Sequence, residues 1–168
     1  MRLVATWDGR RVDGLRNAGK TTGRTATSGT IATAMTPTSH YTQVNSLRIH
    51  YLAAGTPDPN TPPILLLHGF PTSSHLYRNI LPELGKTHRA IALDLPGYGL
   101  SDKPLDAKYN LTFYETILEG FLDALDIHDT DLVVHDLGGP VDLYWALRHP
   151  DRVYKDRLNR EVLTLANA

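Results

Sequence analysis

The chain has 168 residues, 41% of them apolar, and a net charge of −1 from 17 Lys/Arg against 18 Asp/Glu. That length suits one globular domain, and the charge balance excludes the basic footprint of a nucleic-acid binder. The lack of cysteine excludes disulfides, thiolate metal sites and a Cys nucleophile, and no apolar run approaches the about 18 residues that read as a membrane span.

Residues 1–39 do not match the remainder. Over residues 1–34, six Lys/Arg face two Asp/Glu, and "KTTGRTATSGTIATAMTPTS" offers little to bury, so this extension is expected to be disordered or wrongly assigned to the product. Gly14 to Thr21 satisfies G-x-x-x-x-G-K-[ST] to the letter. A phosphate loop needs a buried strand before it and a helix after it, whereas "WDGRRVD" precedes and Gly/Thr-rich sequence follows, so nucleotide binding is not expected. The segment is rich in Arg and Thr and poor in acid, as organelle transit peptides are, but its glycines interrupt any amphipathic helix. Met35, just ahead of the first strand, reads better as the true start, with a cytoplasmic location.

Residues 40–168 carry the folded pattern. "YTQVNSLRIHYLAAG" predicts strands Tyr41–Val44 and Leu47–Ala53 around an Asn45-Ser46 turn, and "TPDPNTPP" is loop by its prolines. "PILLLHGFP" is a short, wholly apolar strand, as expected where both sheet faces are covered. "SSHLYRNILPELG" has a helical period at Leu76, Tyr77, Ile80, Leu81 and Leu84, with a Ser start and a Gly85 stop. "RAIALDLPG" is the next buried strand and leaves Asp94 at its carboxyl end. "NLTFYETILEGFLDALDI" predicts a helix with Phe113, Ile117, Leu118, Phe121 and Leu125 on one face. "DLVVHD" is a further strand, "PVDLYWALRHP" a helix ended by Pro150, and "EVLTLANA" one more strand. Strand–helix alternation with continuous apolar strands predicts an α/β fold with a mostly parallel sheet and helices on both faces. His68–Pro71, Asp94–Gly97 and Asp136–Gly139 then fall at the carboxyl ends of strands, where such sheets bind ligands.

The stretch "LVVHDLGGPV" ends a buried strand on a carboxylate and turns at once into a helix. Such a turn lifts one side chain above the sheet edge and asks for small residues behind it, here Gly138 and Gly139. Asp136 stands where the serine of G-x-S-x-G would stand. With an unperturbed pKa of about 3.9 it is already ionised at neutral pH and needs no base to become a nucleophile. It would displace a leaving group from saturated carbon and form an alkyl ester, with the backbone N–H groups of Leu137 and Phe70 stabilising the oxyanion during hydrolysis. Asp94 and Asp102 read as structural acceptors for turn N–H groups near Pro96-Gly97. His128, His135 and His149 read as packed or solvent-facing, and Tyr144 and Trp145 as core.

The motifs "HGFPTSSHLYRN", "DLPGYGLSDKP" and "VVHDLGGPVDLYWALRHPDRV", in this order, resemble the front half of an α/β-hydrolase of the haloalkane dehalogenase and epoxide hydrolase group. The resemblance implies Asp136 as nucleophile, the oxyanion loop at His68-Gly69-Phe70-Pro71 with His68 shaping the loop, a small organic halide or epoxide as substrate, and no cofactor or metal. It also marks departures. Phe70 and Leu137 stand where dehalogenases carry side-chain donors to the halide, and the family's cap, acid and late histidine have no counterpart in these residues. His149, thirteen residues beyond Asp136, is not placed to act as base. The chain is thus expected to be an incomplete hydrolase, or else a fragment that binds without turnover, whose unfinished sheet edge favours self-association. Asp142 puts a carboxylate into the first turns of a helix that must pack on the sheet, where only the helix N-terminus favours its charge.

Overall fold

A computed structural model describes residues 36–153 together with the two-residue strand Leu163–Thr164. The Gly14–Thr21 motif and the residues preceding Thr36 lie outside the described residues, as does the charged stretch 154–160. Six strands form one sheet in the order β1-β2-β4-β3-β5-β6. They are β1 (Thr38–Val44), β2 (Leu47–Ala54), β3 (Ile64–Leu67), β4 (Ala90–Leu93), β5 (Asp131–Val134) and β6 (Leu163–Thr164).

β1 and β2 form the expected hairpin, with Thr38 opposite Ala53 and Val44 opposite Leu47. The strand starts earlier than the sequence pattern placed it, so Thr38 and Ser39 belong to the sheet rather than to the preceding extension. Asn45 and Ser46 both take positive φ, 46° and 68°, the two-residue turn whose twist matches its strands. β2 pairs antiparallel with β4, while β4, β3, β5 and β6 run parallel.

The two faces of the central strands separate cleanly. Leu65, Leu67, Ile91 and Leu93 pack with Ile117, Leu118, Phe121, Val141 and Trp145 from α2 (Leu111–Ala124) and α3 (Gly138–Arg148). Ile64, Leu66, Ala90 and Ala92 pack with Tyr77 and Leu81 on the opposite face. This two-sided burial is why the strands read as unbroken apolar runs. Asn110 caps α2, its side-chain oxygen accepting from Phe113 N at 2.9 Å.

One predicted helix is broken. "SSHLYRNILPELG" folds as a 3-10 turn at Ser74–Tyr77 and a separate single-turn helix α1 (Leu81–Leu84) with Pro82 in its first turn. Proline has no N–H to give and crowds the carbonyl four residues back, so one continuous helix cannot run through it. The Ser start and the Gly85 stop stand where expected. Of the two aromatics read as core on α3, Trp145 is fully buried, but Tyr144 is only half-buried, with the Arg148 guanidinium 5.5 Å from its ring.

Candidate active site

Parallel pairing of β3 with both β4 and β5 brings three loops to one sheet edge. The loop after β3 carries His68–Pro71, the turn after β4 carries Asp94–Gly97, and the turn after β5 carries Asp136. β5 passes into α3 almost without a connection. Gly138 N donates to His135 O at 2.9 Å and Gly139 N to Asp136 O at 3.0 Å, and the helix is under way by Gly138.

This tightness sets the backbone of Asp136, which has φ of +49°. An L-residue there is strained, and Asp is among the few that tolerate it. Asp136 is not the helix cap: that position is Leu137, and no side-chain hydrogen bond caps α3. Instead the exposed Asp136 carboxylate leans toward the β3 loop, where its Oδ1 accepts from Phe70 N at 2.8 Å. The Phe70 N–H, followed by the Leu137 N–H, holds this carboxyl below the usual carboxylate range, with the nearby His135 acting in the same direction. The group is an anion at neutral pH, with Oδ1 held by the Phe70 N–H.

Two glycines make the approach sterically feasible. A Cβ on Gly69 would sit 2.3 Å from Asp136 Cβ and 2.8 Å from its Oδ1, and one on Gly138 would sit 2.4 Å from the Leu67 carbonyl oxygen. The expectation for Gly139 is corrected. A Cβ there meets only Val134 Cγ2 at 4.0 Å, an ordinary packing distance, because Gly139 has already turned away from β3.

His68 is fully buried. Its Nε2 accepts from Leu95 N at 3.1 Å, which leaves Nδ1 as the protonated nitrogen donating to Gly69 O at 2.9 Å. Burial pushes its pKa down, so it stays a neutral bridge between the β3 loop and the β4 turn. Thr72 also closes on Gly69 O, through its N–H at 3.0 Å and its hydroxyl at 2.9 Å, and the Phe70–Pro71 peptide in this loop is cis. Tyr98, which the sequence reading passed over, sets its ring edge-on to His68 at 5.3 Å and to Phe70 at 6.3 Å. Its only signal was the aromatic between two glycines in "PGYGL".

Asp94 takes the expected kind of turn donor in Leu100 N, and two further partners besides. It accepts from Ser74 N at 2.5 Å, Leu100 N at 2.8 Å and His50 Nδ1 at 2.8 Å, while Asp102 accepts from Arg48 N at 2.7 Å. The β4 turn is therefore tied to β2 and the 3-10 turn. Gly97 N bonds the Asp102 carbonyl oxygen, not a carboxylate. His128 is exposed, and His149 Nε2 lies 2.9 Å from Glu115 Oε1 on α2. The Phe70 side chain is 67% exposed beside the carboxylate. A cleft of about 570 Å³ lies at the opposite end of the sheet against Pro57–Pro63 and Asp126–Asp129.

Residues 62–155 match the family described as alpha/beta hydrolase fold, and residues 31–76 match one described as epoxide hydrolase N terminus. The chain is 47% identical over 103 residues to a haloalkane dehalogenase of Mesorhizobium japonicum, covering 61% of this chain and 32% of that protein. It is 38% identical over 117 residues to a cis-3-alkyl-4-alkyloxetan-2-one decarboxylase of Shewanella oneidensis, covering 68% and 36%. The solved structure of an epoxide hydrolase from Vigna radiata superposes with a TM-score of 0.65 at 28% identity, covering 70% of this chain and 38% of that one. The chain spans about a third of the length of the curated relatives it matches.

Proposed function

Because the chain belongs to the alpha/beta hydrolase fold family, we propose that it is the Asp136-bearing part of a hydrolase acting on a small organic halide or epoxide. The observation that carries this reading is the ionised Asp136 carboxylate, held on the Phe70 and Leu137 N–H groups at the sheet edge. With Oδ1 engaged by the backbone, Oδ2 attacks the saturated carbon. The carbon–leaving-group bond breaks with its electron pair, and an alkyl ester forms on Asp136. Oδ1 becomes the ester carbonyl oxygen while still facing the Phe70 N–H, with the Leu137 N–H on the same carboxyl group. When water adds to Cγ, negative charge develops on that oxygen, and the donors are already in place to stabilise it.

Gly69 and Gly138 are assigned the close approach, and His68 and Pro71 the shape of the donor loop. Water addition takes a general base. The one histidine after Asp136 in the sequence, His149, is engaged by Glu115, so these residues are expected to form the ester without releasing it. No side-chain N–H from Phe70 or Leu137 reaches a leaving group, and the rate of ester formation then follows intrinsic leaving-group ability, with bromide and iodide well ahead of chloride.

The test is intact-mass analysis of the folded chain after exposure to alkyl iodides, bromides, chlorides and a terminal epoxide. A stable adduct mapping to Asp136, in that halide order and absent from Asp136→Asn, is the expected result. Unmodified mass on protein with a cooperative melt would overturn the reading and leave a module that binds without chemistry.

A further inference from the structure

Away from Asp136, the β1–β2 hairpin and the end of β4 bring together three residues with complementary chemistry. The Ser39 hydroxyl lies 2.8 Å from His50 Nε2, and His50 Nδ1 lies 2.8 Å from Asp94 Oδ2. The three form a gradient of burial. Ser39 is at the surface, while the His50 and Asp94 side chains are 4% and 1% exposed.

The proton positions follow from the partners. Burial alone would raise the Asp94 pKa, but the Leu100 and Ser74 N–H groups and His50 outweigh it and hold the group ionised. A carboxylate only accepts, so His50 Nδ1 must donate to it. In the neutral imidazole Nε2 is then an acceptor, and the Ser39 O–H points at it. The backbones of the two residues are also tied: His50 N donates to Ser101 Oγ at 2.8 Å, and that hydroxyl donates to Asp94 O at 2.7 Å.

We propose that Ser39, His50 and Asp94 form a second nucleophilic centre that takes acyl or phosphonyl groups from activated esters at Ser39. His50 Nε2 accepts the hydroxyl proton as Ser39 Oγ bonds to the carbonyl carbon. The bond from that carbon to the aryl oxygen breaks, and the aryl oxide leaves with the electron pair and takes up the proton from His50. Asp94 positions the ring and stabilises the imidazolium that exists between the two transfers. Tyr41, a residue 45% exposed, supplies an apolar wall, its ring 5.0 Å from the His50 ring centroid and with the Arg48 guanidinium 4.6 Å from its own centroid. Ser39 and Tyr41 project to the same side of β1, two residues apart, so an aryl leaving group has a surface to rest on. This centre stands on β1, β2 and β4, whereas Asp136 stands beyond β5, and the two make independent claims.

The test is labelling of the folded full chain with an alkyl fluorophosphonate, which transfers its phosphonyl group to Ser39 as fluoride leaves, followed by peptide mapping. Ser46, exposed in the turn of the same hairpin, is the internal reference. Ser39 is expected to label at least about 100-fold faster than Ser46, the range a positioned general base supplies. Ser39→Ala is expected to remove that adduct with an unchanged melt, and His50→Gln to bring Ser39 down to the rate of Ser46. Should His50→Gln fail to fold, the comparison within the wild-type chain decides alone. Equal rates at Ser39 and Ser46 on folded protein would show that the three residues only fasten the hairpin to β4.

Discussion

Asp142 is the residue whose surroundings fit its chemistry least. It lies one helical turn beyond Gly138, on the same sheet-facing side of α3. It is 2% exposed, and its Oδ1 has no hydrogen-bond partner. Its position early in the helix would favour a negative charge, but burial prevails and pushes the pKa up to about 7. A carboxyl whose folded pKa exceeds its unfolded value binds its proton more tightly in the folded state. The stability that Asp142 allows is therefore complete at about pH 4 and below, and declines as pH rises toward 7. Asp142→Asn keeps the shape and removes the titration. Chemical denaturation across pH 4 to 8 is expected to find the two proteins alike near pH 4 and the variant more stable by on the order of 3 kcal/mol near pH 8. A difference that stays flat with pH would mean that Asp142 reaches water.

Among the elements, α2 and α3 are joined at one end by a charged cluster. Glu115 Oε1 meets Arg148 Nε at 2.6 Å and His149 Nε2 at 2.9 Å, while Arg152 Nη1 lies 3.0 Å from both Glu119 and Asp123. Trp145 Nε1 also donates to Glu119. Burial by itself would raise the Glu115 pKa, yet Arg148 and His149 bring it below the ordinary value. The stability this supplies is present above the unfolded Glu pKa and is lost as pH falls through the folded one. Glu115→Gln is expected to cost about 1 kcal/mol at pH 7, since the Arg148 side is well solvated, and almost nothing at pH 3. Thermal melts at the two pH values check it. The sequence disclosed elements wherever a local rule governs them: the apolar strands, the Asn45-Ser46 turn, the Asn110 start of α2. It misled at residues 73–85, where helical spacing spoke louder than Pro82. It was nearly silent on tertiary pairings such as Ser39 with His50 and Asp94, because nothing in the local pattern of residues 39, 50 and 94 announces that they meet. The turn at Asp136 was legible because strand, carboxylate and glycine are adjacent in the chain. That Gly69 rather than Gly139 makes room for it depends on how β3 and β5 align.

At the scale of the molecule, two of the exposed leucines among the described residues fall on α3. Leu143 is 60% exposed and Leu147 is 74% exposed, and the spacing of four residues places them together on the side away from the sheet. The further strand expected in "EVLTLANA" is β6, which pairs with β5 through Val133 and Val134. We propose the α3 face as a surface for self-association beside the sheet edge. Replacing both leucines by glutamate is expected to shift sedimentation toward a single monomer boundary while leaving the melting temperature within a few degrees, because neither side chain is part of the core. An unchanged distribution would place the contact elsewhere.

Phe70 divides its labour between two parts of one residue. Its N–H is fixed on Asp136, and the preceding Gly69 carbonyl is fastened to His68 and Thr72, whereas its side chain is largely free in solvent. In the reaction proposed for Asp136, the chemistry at this position is written in the backbone, which every non-proline amino acid shares, and the selectivity in the side chain, which each supplies differently. Position 70 is thus an interchangeable part. A lineage can exchange the side chain there, from apolar ring to amide, without resetting the donor that the proposed reaction depends on.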